Sequence, residues 1–231
     1  MDGAAVVQGN VVQSMGVRFR HRPDLLAPRV RHALRANTYA AQQVRAALKV
    51  SYAGDTVLEL GGGIGLISAV LSKRRDIAHV HIYEPNAPLA DYIRDIHSLN
   101  AIDNATVHTA VLGKRKGTAP FEVRAGLFGA SPKEAEGTSS IETVDVHNVK
   151  TQVKAIKPDV LICDIDGAEA EVIPLMDLGK VRAAVITLSP QTTGPEGVTA
   201  VFHAFMAAGL SYFPKLSSQK VVTFRRAWPV K

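Results

Sequence analysis

Carboxylates and glycines at short, regular spacing are the residues of this sequence best able to do chemistry. In Glu59-Leu60-Gly61-Gly62-Gly63-Ile64-Gly65 a carboxylate precedes three alternating glycines, and the apolar Val57 and Leu58 lead into it. Glycines permit positive φ and let a ligand approach main-chain N–H groups, while a helix starting just beyond leaves donors unsatisfied. Such a stretch is a cradle for a small polar ligand. Further on, Glu84 closes the run His79–Tyr83, and Asp164, Asp166 and Glu169 crowd into D-I-D-G-A-E behind an apolar run. Carboxylates so placed can accept hydrogen bonds from ribose hydroxyls, take a proton or hold a hard cation.

Spacing narrows the ligand. A dinucleotide fingerprint, G-x-G-x-x-G, would need a glycine where Leu66 stands. The pattern present, Glu59-x-Gly61-x-Gly63-x-Gly65, resembles motif I of class I S-adenosylmethionine-dependent methyltransferases, whose cofactor carries an amino acid and a sulfonium in place of a pyrophosphate.

The elements that must position these residues follow from periodicity. The apolar run before Gly61 reads as a buried strand, and Ile64 to Arg74 as a crossover helix with Ile67, Val70 and Leu71 inward. His79 to Asn86 reads as the second strand, ending on Glu84, and Pro88 to Leu99 as the second crossover helix. Asn104 to Leu112 reads as a third strand. In methyltransferases of this architecture the loop before that strand often lies near the adenine, so the motif I resemblance implies Asp103 and Asn104 as candidates for adenine contact, an ordinary asparagine turn being the competing reading. Residues 113–158 look irregular, with a short strand at Phe121–Val123. Between Gly126 and Ser140 lies a Gly-, Ser- and Ala-rich loop, either a substrate lid or plain flexible chain. Asp159 to Asp164 reads as the fourth strand, followed by a helix that Pro174 keeps short or kinked. Val181 to Leu188 reads as the fifth, Pro195 to Ala208 as a helix, and Leu210–Phe213 with Lys220–Phe224 as a terminal hairpin. The expected fold is α/β: a doubly wound, mostly parallel seven-stranded sheet with an antiparallel C-terminal hairpin. Residues 1–36 read as an N-terminal arm or cap, covering the cofactor or carrying an oligomer contact, and 37–231 as one methyltransferase domain. Its first helix, from an Asn37 or Thr38 N-cap, groups Tyr39, Val44 and Leu48 and packs beside the cofactor site.

Composition sets outer bounds. The 231 residues suit one α/β domain with a sizeable core. The formal charge is +6, but the basic residues are spread over several clusters without interleaved aromatics, which favours solvated faces over nucleic-acid binding. A single cysteine, Cys163, allows no intrachain disulfide and no cysteine zinc cluster, and inside an apolar strand it reads as a small buried hydrophobe. With no basic leader and no membrane-length apolar run, a soluble cytoplasmic protein is expected.

Over about residues 55 to 190 the chain resembles the FkbM family of S-adenosylmethionine-dependent methyltransferases. The match runs through E-L-G-G-G-I-G-L, Glu84-Pro85-Asn86, Asn100, Ala110-Val111-Leu112-Gly113 and Asp164-Ile165-Asp166-Gly167-Ala168-Glu169. Asp166 stands where the family usually has glutamate, and Thr187-Leu188-Ser189-Pro190 where many members have Glu-x-His-Pro, so the roles of that acid and histidine do not transfer. The resemblance implies methyl transfer to a hydroxyl oxygen of a small molecule such as a sugar or natural product. In that reading Glu59, Gly61, Gly63 and Gly65 face the methionine and ribose of the cofactor and Glu84 its ribose. Asn104 faces the adenine, Asp164 borders both cofactor and acceptor, and Asp164 with Asp166 positions or deprotonates the acceptor. Mg²⁺ on Asp164, Asp166 and Glu169 is conceivable but not expected, because the strand-to-helix turn points these side chains different ways. A nucleic-acid or protein methyltransferase and a non-catalytic cofactor-binding protein stand as alternatives, and a homo-oligomer is compatible with all three.

Overall fold

Strands that are apolar on both faces need cover on both faces. The computed structural model describes residues 11–74, 76–124, 128 and 139–226. In chain order β1 (Val11–Ser14) and β2 (Val17–Arg20) form a hairpin, and α1 (Pro28–Arg35) and α2 (Ala41–Val50) lead to β3 (Thr56–Leu60). Then come α3 (Leu66–Arg74), β4 (His79–Tyr83), α4 (Ala87–Leu99), β5 (Ala105–His108), β6 (Ala110–Gly113), β7 (Gly117–Arg124) and β8 (Ser139–Asn148). The chain continues through α5 (Val149–Ile156), β9 (Val160–Cys163), α6 (Glu169–Val172), β10 (Ala183–Thr187), α7 (Pro190–Ala207), β11 (Ser211–Tyr212) and β12 (Val221–Arg225).

Seven strands make the central sheet in the order β11-β12-β10-β9-β3-β4-β5. All neighbours are parallel except β12, which runs antiparallel to both β10 and β11. The chain winds outward from β3 to β5, then returns to place β9 on the other side of β3. Ligands in open α/β sheets bind in the crevice at such a switch point, outside the carboxyl ends of the strands. Period-two alternation divides the core between the faces. Val57, Val80, Ile82 and Ile162 pack with Val44, Val70 and Ile93 from α2, α3 and α4. Leu58, Leu60, Leu161 and Ile186 pack with Val153, Val172 and Phe205 from α5, α6 and α7. Glu59 lies in register with Val57 and is therefore on the first face, beneath the glycine turn.

Three expectations change. The run Asn104–Leu112 is not one strand. It breaks after His108, where β5 leaves the central sheet, and the chain re-pairs as β6 with β8, Ala110 opposite Asp145. Residues 113–158 are largely regular: β7 and β8 pair antiparallel from Gly117–Val146 to Arg124–Ser139, completing a three-stranded sheet β6-β8-β7, and α5 follows. The short strand expected at Phe121–Val123 is the middle of β7, and β8 escapes notice because it is wet; Val144 is the one buried residue described in it, and Ile141 is 76% exposed. Of the supposed loop 126–140, only Phe128, Ser139 and Ser140 lie among the described residues. Finally, α2 begins at Ala41, not Asn37. Asn37 accepts hydrogen bonds from the Ser14 hydroxyl and the Met15 amide at 3.2 and 2.7 Å, so its side chain is committed to the β1–β2 turn. Ala40, in the left-handed region at φ 47°, takes the N-cap position.

Among the described residues no helix is long and apolar enough to cross a membrane.

Candidate functional site

The glycine turn after β3 is shaped by what crowds it. Gly61 has φ +80°, and a Cβ there would sit 1.9 Å from the Asp164 carbonyl oxygen at the end of β9. The Asp164 amide in turn donates to the Leu60 carbonyl at 2.9 Å, so the two strand ends are stitched together where only glycine fits. At the turn's apex the Gly63 amide donates to Glu84 Oε2 at 2.9 Å, while the Asn86 amide donates to Oε1 at 3.0 Å. The end of β4 thus holds both the glycine turn and the start of α4, where Asn86 is the N-cap.

Three carboxylates converge on this turn. Glu59 is 1% exposed and its Oε2 has no hydrogen-bond partner. Burial, then the Glu84 charge, pushes its carboxyl up to about 8, against a Ser68 amide bond that favours the ionised form. Burial likewise raises Glu84 to about 7 despite its two amide donors. Burial and the Asp166 charge raise Asp164, which the Gln43 amide steadies at 3.4 Å while also reaching the Thr187 hydroxyl at 3.4 Å. Among the described residues no lysine or arginine pulls any of the three down. Burial disfavours the charge on these carboxyls and a nearby cation restores it, so such a lining suits a ligand that brings hydroxyl donors and positive charge. An adenosine bearing an amino acid and a sulfonium has both, and the unpartnered Glu59 oxygen is an acceptor left over for it.

Two aromatic residues complete the turn's surroundings. The Tyr39 hydroxyl and the Phe128 ring edge each lie 3.5 Å from the point a Gly63 Cβ would occupy. Tyr39 is held well above the usual phenol range, first by burial and then by Asp164, Glu84 and Glu59, so it stays a donor. The sequence marked Tyr39 only as one residue of an apolar helix face and Thr187 only as a departure from Glu-x-His-Pro, and offered no sign of Gln43 or Phe128. Tyr39 and Gln43 flank the start of α2, and Phe128 and Thr187 come from distant parts of the chain; these three stretches meet only in the fold.

Other sequence candidates fall elsewhere. Asn104 precedes β5, and all residues ahead of a parallel strand lie on the sheet edge opposite those that follow it. Its side chain donates to the Ile77 carbonyl at 2.8 Å, away from the glycine turn, so the expected adenine contact is corrected. Glu169 is 1% exposed, and its two oxygens accept from the amides of Gly167 and Ser189 at 2.7 and 2.8 Å. It ties the β9–α6 turn to the end of β10 and is committed to backbone. Asp166 is exposed, in the left-handed region at φ 51°. Among the described residues no group of three His, Cys, Asp or Glu is arranged to hold a metal. Cys163 is buried and free, its thiol raised by burial and by Glu169.

Solved structures share this arrangement of sheet and helices. The fold is that of Rossmann-like methyltransferases. The putative transferase PH0793 from Pyrococcus horikoshii is 14% identical, with a TM-score of 0.52 over 93% of this chain and 70% of that one. Trm5b from Pyrococcus abyssi is 12% identical, with a TM-score of 0.51 over 96% and 57%. The precorrin-6y C5,15-methyltransferase from Geobacter metallireducens GS-15 is 13% identical, with a TM-score of 0.49 over 80% and 87%. No protein-family model matches the chain, and no curated protein matches it. At these identities the likeness is one of fold.

Proposed function

We propose that this protein is an S-adenosylmethionine-dependent methyltransferase of FkbM-like type, acting in the cytoplasm on a hydroxyl oxygen of a small molecule. One observation carries the cofactor reading: Glu59, Glu84 and Asp164, all raised by burial and, among the described residues, none beside a cation, surround a glycine turn where a Glu59 oxygen has no partner among those residues. Bound there, the cofactor supplies an electrophilic methyl group on a sulfonium, open to in-line displacement. Glu84 and Glu59 accept hydrogen bonds from ribose and amino-acid groups, and the tied glycine turn keeps its backbone close to the ligand. Asp164, steadied by Gln43, accepts the proton that the acceptor hydroxyl gives up, and its raised basicity suits that task. Exposed Asp166 meets the acceptor from outside.

The oxygen acceptor and the FkbM assignment rest on Glu84-Pro85-Asn86 and Asp164–Glu169 in the sequence. The test is thermal unfolding with and without S-adenosylmethionine, followed by incubation with labelled cofactor and a metabolite extract. A cofactor-dependent rise in Tm and a labelled hydroxyl compound are expected. An unchanged Tm under saturating cofactor removes the reading. Binding without transfer to any acceptor leaves a cofactor-binding protein.

A further inference from the structure

Donors and acceptors are unevenly matched at the glycine turn. The alternating glycines promise main-chain donors, yet each of their amides is committed within the protein. Gly61 donates to the Tyr83 carbonyl, Gly63 to Glu84 Oε2 and Gly65 to the Gly62 carbonyl, all at 2.9 Å. The Gln43 side-chain amide is likewise committed to Asp164 and Thr187. Acceptors are in excess, since Glu59, Glu84 and Asp164 converge on the turn and one Glu59 oxygen has no partner among the described residues. S-adenosylmethionine brings hydroxyls, an ammonium and a sulfonium to those acceptors. It also brings a carboxylate, which needs a donor and is repelled by ionised carboxyls.

The Tyr39 hydroxyl is a donor of the right kind in the right place. It lies 3.5 Å from the point a Gly63 Cβ would occupy, within electrostatic reach of Asp164, Glu84 and Glu59. No described residue hydrogen-bonds to it, and the Phe128 ring edge, 3.5 Å from the same point, presents an apolar wall. The backbone behind it is fixed. The amides of Thr38 and Tyr39 donate to the Ala33 carbonyl at 2.9 and 3.3 Å, and α2 starts at Ala41, carrying Gln43 to Asp164. Burial and the three carboxyls keep the phenol protonated, so it offers one O–H and no charge. A lysine or arginine in its place would pair with the carboxylates and hold them ionised, competing with the cofactor's own positive charges.

Building on the cofactor reading above, we infer that the Tyr39 hydroxyl donates a hydrogen bond to the carboxylate of the bound cofactor's amino acid. It thereby selects, among S-adenosyl sulfonium ligands, those that carry this carboxylate. The three acidic side chains take the cationic and hydroxyl groups of the ligand, and Tyr39 takes its one anionic group.

Two ligands that differ in that group alone test this on the full chain: S-adenosylmethionine and its decarboxylated form, titrated calorimetrically. Wild type is compared with Tyr39→Phe, which keeps the ring and removes only the hydroxyl, and with Tyr212→Phe, an exposed tyrosine on the outermost strand β11. Wild type should prefer S-adenosylmethionine. Tyr39→Phe should bind S-adenosylmethionine about tenfold more weakly than wild type, and the decarboxylated ligand within about twofold, which also shows its cradle to be folded. Tyr212→Phe should match wild type with both ligands. Equal wild-type affinity for the two ligands overturns the inference, as does undiminished S-adenosylmethionine binding by Tyr39→Phe or an equal loss of both ligands in that variant. A wild type that binds neither ligand overturns the cofactor reading, and the inference with it.

Discussion

Glu84 holds Gly63: its Oε2 accepts the Gly63 amide at 2.9 Å, so the second strand of the winding, β4, fixes the apex of the turn that follows the first. Glu84→Ala removes that acceptor and the one for Asn86. It is expected to cost about 1–3 kcal/mol of stability and to abolish the Tm rise with S-adenosylmethionine. Glu84→Gln, which keeps one carbonyl acceptor, should recover most of the stability but little of the cofactor response. Chemical denaturation and thermal unfolding with cofactor separate the two effects.

Gly61→Ala and Gly54→Ala form an internal comparison, since both glycines have φ +80°. At Gly54 nothing lies within 4 Å of an added Cβ, so only the backbone cost of about 1–2 kcal/mol applies. At Gly61 the added carbon would meet the Asp164 carbonyl at 1.9 Å, forcing β3 and β9 apart. Its destabilisation should exceed that of Gly54→Ala by about 2 kcal/mol or more, read by urea unfolding. Equal losses would refute the close approach.

The buried carboxyls make stability depend on pH. Burial raises Glu59 to about 8 and Glu84 to about 7, above the ordinary glutamate value of 4.5, so the folded state holds their protons more tightly than the unfolded one. Their contribution is complete below about pH 4.5 and is lost as pH rises through 7 and 8. The Tm difference between Glu59→Gln and wild type should therefore shift in favour of the variant from pH 5 to pH 9. Parallel curves would mean that Glu59 is not raised.

Glu169 and Asp166 should separate cleanly. Glu169→Ala leaves the Gly167 and Ser189 amides without an acceptor at a buried turn and should cost about 2–4 kcal/mol. Asp166→Asn, exposed and able to keep the left-handed turn, should unfold within about 0.5 kcal/mol of wild type. Denaturant midpoints check both, and adding EDTA should move neither.

Asn104→Ala should leave cofactor affinity unchanged by isothermal titration, because its side chain serves the Ile77 carbonyl at the opposite sheet edge. A tenfold loss would return it to the adenine side.

Legibility followed burial. The strands at Val57–Leu60 and Val160–Cys163 could be read because both faces are covered and their residues are uniformly apolar. The three-stranded sheet could be read only at Phe121–Val123, because β7 and β8 stand largely in solvent and β8 buries only Val144 among its described residues. The adenine contact that the resemblance implies for Asn104 is not met, because a parallel strand separates its two flanks by its full length and Asn104 precedes β5, on the flank away from the glycine turn. The start of α2 was misplaced because a hydrogen bond from the distant Met15 outweighed Asn37's local tendency to cap.

By itself the sequence determined the doubly wound order and the glycine turn, with Glu84 and Asp164 at the strand ends beside it. Those properties depend on local spacing and on which residues tolerate burial. Only the tertiary structure decided which carboxylates face a ligand and which serve the backbone. Asp164 and Glu169 are near neighbours in one motif, yet Asp164 meets Gln43 and Thr187 at the mouth while Glu169 closes on two amides beneath it. The tertiary structure also brought Tyr39 and Phe128 to Gly63. Contacts between side chains so far apart in sequence exist only once the sheet has been wound and its two faces covered.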